Sequence, residues 1–217
     1  MVSKILNAIY ECGIVSIVRG IQESHIRATV EALYEGGIRG IEITLDTPGA
    51  LRMIEKVKAE FGQRMTVGAG TALDGETARA AILAGADFVL SPTLSTAMIE
   101  MCNRYSKLAV PGVLTPTEIL MAWQAGAQLV KVFPARVFGP AYIKDVKGPL
   151  PQVEIMPVGG VSLDNAEAFI RNGAFALGIG TQLVDQKTVQ SGDFQEITER
   201  ARKFIEKVEA GRNIQRA

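Results

Sequence analysis

Eight short apolar runs punctuate this chain, each followed by a polar or glycine-containing turn and then a stretch with helical periodicity. They are Ile14–Val18, Gly40–Thr44, Thr66–Ala69, Phe88–Leu90, Leu108–Val110, Leu129–Phe133, Glu154–Val158 and Ala176–Ile179. Their starts lie roughly two dozen residues apart, the length of a strand, a loop and a three-turn helix. Four junctions carry glycine just before the next run, at Gly36-Gly37, Gly85, Gly126 and Gly173, where a left-handed residue closes a helix. Strand and helix in regular alternation predict a parallel sheet, because parallel strands need crossover connections. Eight such units predict a closed (β/α)8 TIM barrel, which leaves no strand edge exposed. A helix over Ser3–Glu11 is expected to cap its bottom, and one over Asp193–Glu209 to complete the outer ring. Residues 1–217 read as a single barrel domain, without a linker or low-complexity tract.

Charge balance narrows the function. Lys plus Arg number 23 and Asp plus Glu number 23, so no net field gathers nucleic acid or an anionic membrane. Any bound anion must be held locally. At 47% hydrophobic and 21% charged residues the chain has the mix of a globular protein. Cys12 and Cys102 form no ligand or C-x-x-C pattern and are expected to be buried, reduced thiols. His25, the one histidine, lies in a polar helix start and reads as solvated or capping, which excludes a His-based triad or a multi-His metal site. The N-terminus lacks an apolar signal core and no segment approaches the ~18 apolar residues of a membrane span, so a cytoplasmic location is expected.

Barrel active sites form at the C-terminal ends of the strands. Lys131 interrupts Leu129-Val130-Lys131-Val132-Phe133, otherwise an apolar strand buried on both faces. An ammonium there is costly unless paired or deprotonated, and a deprotonated lysine is the nucleophile that imine formation needs. The bland reading is a lysine that snorkels to the barrel mouth or pairs with a carboxylate. Glu42 is a second charge in an apolar strand, Gly40-Ile41-Glu42-Ile43-Thr44. It can move protons near an imine or serve as a structural partner of Lys131. Gly159-Gly160 and Gly180-Thr181 follow the last two strands, where barrels commonly bind phosphate through backbone N–H groups; otherwise they only tighten turns. Arg19 ends the first strand, and its fork of donors suits a carboxylate or phosphate, or a local surface pair.

Taken in order, Ile17-Val18-Arg19-Gly20-Ile21, Gly40-Ile41-Glu42-Ile43-Thr44, Val67-Gly68-Ala69-Gly70-Thr71, Ser91-Pro92, Pro111-Gly112, Lys131-Val132-Phe133-Pro134, Phe138-Gly139-Pro140 and Val158-Gly159-Gly160-Val161 resemble the 2-keto-3-deoxy-6-phosphogluconate aldolases and their galactonate-type relatives, over nearly the whole chain. The resemblance implies that Lys131 is the Schiff-base lysine and Glu42 the acid/base. It implies that Thr71, Pro92 and Phe133 surround pyruvate, and that Arg19, Gly159, Gly160, Gly180 and Thr181 contact phosphate or carboxylate. A homotrimer in the cytosol is implied, with no metal and no added cofactor. One departure is Asp46, where many gluconate-type members carry an arginine. Another is Val158, where gluconate-type members often place a threonine and galactonate-type members an apolar residue.

The expected reaction is retro-aldol cleavage of a 2-keto-3-deoxy-6-phosphosugar acid to pyruvate and glyceraldehyde 3-phosphate, with the galactonate isomer preferred or both accepted. Its rivals are cleavage of 4-hydroxy-2-oxoglutarate or a related pyruvate aldolase activity, a metal-dependent lyase using Glu42 and Asp46 as ligands, and a trimeric scaffold without turnover.

Overall fold

The computed structural model describes residues 2–216. Its strands are β1 (Ile14–Val18), β2 (Gly40–Thr44), β3 (Thr66–Gly70), β4 (Phe88–Leu90), β5 (Leu108–Val110), β6 (Gly112–Val113), β7 (Leu129–Val132), β8 (Glu154–Pro157) and β9 (Leu177–Ile179). The helices are α1 (Val2–Cys12), α2 (Glu23–Glu35), α3 (Ala50–Phe61), α4 (Gly75–Leu83), α5 (Thr96–Arg104), α6 (Pro116–Gln124), α7 (Gly139–Lys147), α8 (Ala166–Arg171), α9 (Gln186–Gln190) and α10 (Phe194–Arg216). Among the described residues no helix is long and apolar enough to cross a membrane.

The closed eight-stranded barrel is not what forms. The strands build a curled six-stranded parallel sheet, ordered β5-β4-β3-β2-β1-β9, and a separate three-stranded parallel sheet, ordered β6-β7-β8. Prolines stand at both places where the ladder breaks. Pro111 separates β5 from β6, and a proline has no N–H to give a ladder. Below it β5 pairs with β4; above it β6 pairs with β7, and the Pro111 carbonyl accepts from Lys131 N–H at 2.8 Å. On the other side Pro157 ends β8, and beyond it only an isolated bridge, Val158 to Gly178, reaches β9. The eight expected runs thus become nine strands among the described residues.

The glycine junctions behave as their chemistry dictates: Gly37, Gly85, Gly126 and Gly173 all have φ between 98° and 101°, a backbone state that a Cβ would strain. Helix starts are equally local. Thr115 and Glu118 form a reciprocal capping box at α6, with Pro116 in its first turn.

Alternation along the strands sorts the core into two regions. Ile14, Val18, Ile41, Ile43, Val67, Val89, Val130 and Ile155 belong to the cluster shared with the helices. Val15, Ile17, Phe88, Leu90, Val110, Leu129, Met156 and Val158 form an inner cluster, with Ile9 of α1 packed into it. Strand residues of opposite parity thus take opposite sides, as a period of two requires. Both sides are dry, so any ionisable side chain of the inner parity enters a space bounded by apolar groups.

Candidate active site

Lys131 shares the inner parity of Leu129 on β7, and Glu42 that of Gly40 on β2. Each stands on a different sheet. Lys131 is 4% exposed and the only buried lysine among the described residues. Its Nζ lies 5.1 Å from the centroid of the Phe133 ring, close enough for a cation to be held by the ring's π-face.

Glu42 is fully buried, and neither carboxylate oxygen has a hydrogen-bond partner. Among the described residues it forms no ion pair within 4.0 Å, so the pairing with Lys131 weighed above is not direct. Burial pushes the Glu42 carboxyl above its ordinary value; the charges of Lys131 and Arg19 offset part of this, and Asp46 adds to it. The adjacent strand makes the room. Glu42 is in register with Gly68, and a Cβ on Gly70 would fall 1.5 Å from Glu42 Oε1. Only glycine at position 70 leaves that space.

A cavity of about 420 Å³ opens at Lys131. Of the residues singled out in the sequence, Arg19, Pro92, Lys131, Phe133, Val158, Gly159, Gly160, Gly180 and Thr181 line it. Glu42 lies outside that lining, and Thr71 is joined to it through Arg19. The Arg19 fork donates to Asp46 Oδ2 at 2.9 Å and to Thr71 Oγ1 at 3.1 Å, with Thr71 held at φ 64°. Asp46, weighed as a metal ligand beside Glu42, is engaged by this arginine. Among the described residues no group of three or more His, Cys, Asp or Glu side chains is placed to hold a metal ion. His25, expected to be solvated or capping, is partly buried with Nδ1 unpartnered.

Gly159 and Gly160 have φ of 83° and 93°. A side chain on Gly159 would meet the Phe133 ring at 3.0 Å. The N–H groups of Gly159, Gly160, Thr181 and Gln182 donate to no protein acceptor among the described residues, which leaves a concave set of donors for an anion. Arg136 and Gln182, which no sequence pattern marks, also line the cavity. Arg136 lies outside the strand pattern, and its one signal was a charge five residues beyond Lys131.

Chemically, the arrangement offers an amine on an apolar floor, a carboxyl group that holds its proton to an unusually high pH, and anion donors at the far wall. The profile of the KDPG and KHG aldolase family matches residues 5–200. A 2-dehydro-3-deoxy-6-phosphogalactonate aldolase of Escherichia coli K12 is 33% identical over 171 residues, covering 78% of this chain and 83% of that protein. A 2-dehydro-3-deoxy-phosphogluconate aldolase of Pseudomonas aeruginosa is 32% identical over 198 residues, covering 91% and 90%. Among solved structures, KDPG aldolase from Legionella pneumophila, with pyruvate captured as a covalent carbinolamine, has a TM-score of 0.85 at 26% identity and covers 91% of this chain and 96% of that one.

The buried carboxyl group has a measurable signature. Because its value is raised above 4.5 in the folded chain, the native state holds this proton to higher pH than the unfolded state does. Stability from the neutral form is complete below pH 4.5 and is lost as pH rises through the raised value. Glu42→Gln, neutral at every pH, is therefore expected to be more stable than wild type at pH 8 by about 1–3 kcal/mol. The gap should close toward pH 4 in urea titrations across that range; a gap that does not change with pH would contradict the account.

Proposed function

The chain belongs to the KDPG and KHG aldolase family, and we propose that its cavity performs retro-aldol cleavage of a 2-keto-3-deoxy-6-phosphosugar acid to pyruvate and glyceraldehyde 3-phosphate. As a member of that family it is a carbon–carbon lyase. The observation that carries the reading is Lys131, a buried lysine on the floor of a cavity, with an unpartnered carboxyl group beneath the same strand ends.

The Lys131 amine adds to the C2 carbonyl, and loss of water from the carbinolamine leaves an iminium. Glu42, as carboxylate, takes the proton of the C4 hydroxyl. The C3–C4 bond then breaks, its electron pair passes into the iminium as an enamine, and the aldehyde leaves. Glu42 returns the proton to C3, and water hydrolyses the resulting imine to pyruvate and free lysine. A carboxyl group that burial has raised above its ordinary value suits this alternation, since once ionised it is a stronger base than a solvated carboxylate and then holds the proton it must return. Arg19, braced by Asp46, and Thr71 face the keto-acid end, with Pro92 and Phe133 as walls. Gly159, Gly160, Gly180 and Thr181 take the phosphorylated end.

The metal-dependent alternative has Asp46 committed to Arg19. Val158, buried and packed against Gly178 where a Cβ would lie 2.5 Å from its Cγ2, lines the cavity with a side chain that has no hydrogen-bonding atom. A substrate hydroxyl aimed at it is desolvated without a partner, which supports the galactonate isomer or acceptance of both. Assembly as a cytoplasmic homotrimer is part of the same reading. Exposed Leu120, Met121, Val137 and Phe138 supply apolar surface for self-contact.

Lys131→Ala should abolish turnover and borohydride trapping of pyruvate; trapping retained by a folded variant would assign the imine to another lysine, and EDTA-sensitive turnover without trapping would favour a metal. Val158→Thr should shift kcat/KM toward the gluconate isomer by roughly tenfold to a hundredfold. A wild-type preference for gluconate that the substitution leaves unchanged would remove Val158 from the argument. Sedimentation equilibrium should give three times the chain mass, and a monomer at micromolar concentration would refute the trimer.

A further inference from the structure

The proposed reaction brings a phosphate into a cavity that three cationic side chains line: Arg19, Lys131 and Arg136. Two are already committed. Arg19 gives its guanidinium to Asp46 and Thr71, and Lys131 is buried at the floor under the Phe133 ring, where the imine must form. Arg136 is exposed, and among the described residues its guanidinium has neither an ion pair nor a hydrogen-bond acceptor.

Its backbone is fixed against the far wall. Arg136 N–H donates to the Gly159 carbonyl at 2.9 Å, and a Cβ on Gly160 would lie 2.4 Å from Arg136 Cβ and 3.3 Å from its Cγ. The aliphatic stem therefore crosses Gly160, next to the N–H groups of Gly159, Gly160, Thr181 and Gln182 that no protein acceptor uses. Backbone donors alone present partial charges; a tetrahedral dianion in that concavity gains a full counter-charge only from a side chain that reaches it.

We propose that Arg136 is the specificity residue that binds the substrate's phosphate, in place of any cation from the loop after β2, where Asp46 stands. The proposal rests on the aldolase reading but adds a residue to it, and it makes selection for phosphorylated substrates a property of the segment after β7. It also gives Gly160 a reason to lack a side chain, since a Cβ there would displace the arginine.

The test is Arg136→Gln and Arg136→Lys, assayed on the phosphorylated sugar acid and on 2-keto-3-deoxygluconate, which has the same carbon chain without phosphate. Arg136→Gln should raise KM for the phosphorylated substrate about tenfold or more with kcat retained, and leave kcat/KM on the unphosphorylated acid within about twofold. The lysine variant should recover part of the loss, since it keeps the charge but not the fork. Inorganic phosphate, titrated calorimetrically into wild type and Arg136→Gln, should bind the variant about tenfold more weakly. Equal phosphate affinity in the two proteins, or an equal loss on both substrates, overturns the proposal. A wild type that binds phosphate through Arg136 but cleaves neither acid would sink the aldolase reading and leave this contact standing.

Discussion

The carboxyl group of Glu42 sits where water does not reach and no protein donor meets it, and much of the surrounding structure is what keeping it there requires. Its strand is buried on both faces, so an acid of the inner parity has apolar neighbours on every side. The neighbouring strand contributes glycine twice on that parity. Gly68 yields space to the Phe88 ring and Gly70 to the Glu42 carboxyl, with a Cβ at either position meeting those groups at 2.2 and 1.5 Å. One level is thus filled by an aromatic plug and the next left open for the Glu42 carboxyl. The cost of a buried, unsatisfied acid is borne by the packing beneath it.

Amine and acid stand on different ladders. Glu42 belongs to the six-stranded sheet and Lys131 to the three-stranded one, and the cavity is the gap where the strand ends of the two converge. Pro111 is what lets one stretch of chain serve both. Its missing N–H ends the pairing with β4, while its carbonyl anchors the lysine's own N–H at 2.8 Å. The same residue that interrupts the sheet therefore fixes the backbone from which Lys131 projects.

Much of this was legible in the residues. Charges inside apolar runs marked Lys131 and Glu42, because nothing but burial with a purpose or a partner explains them; glycine before each run marked the helix ends, because left-handed φ leaves few alternatives. The closed barrel was misjudged for a reason equally physical. Counting apolar runs says how many strands there are, but pairing depends on backbone donors, and Pro111 and Pro157 remove them at both seams. Arg136 went unnoticed because its place in the cavity arises from a turn packed over Gly160, a long-range contact with no periodic trace. Asp46 figured as a departure from the relatives' arginine and as a possible metal ligand, since the 27 residues that separate it from Arg19 hide the pair.

That pair has a consequence for how the molecule meets its ligand. Asp46 cancels Arg19 at the mouth, and the whole chain carries as many acids as bases. No field extends beyond about one Debye length, roughly 8 Å at physiological ionic strength, to draw an anion in from afar. Encounter is left to unguided diffusion, with attraction beginning only at the rim. Such a protein captures its ligand at a rate that varies little with ionic strength, and it collects few unwanted polyanions on the way.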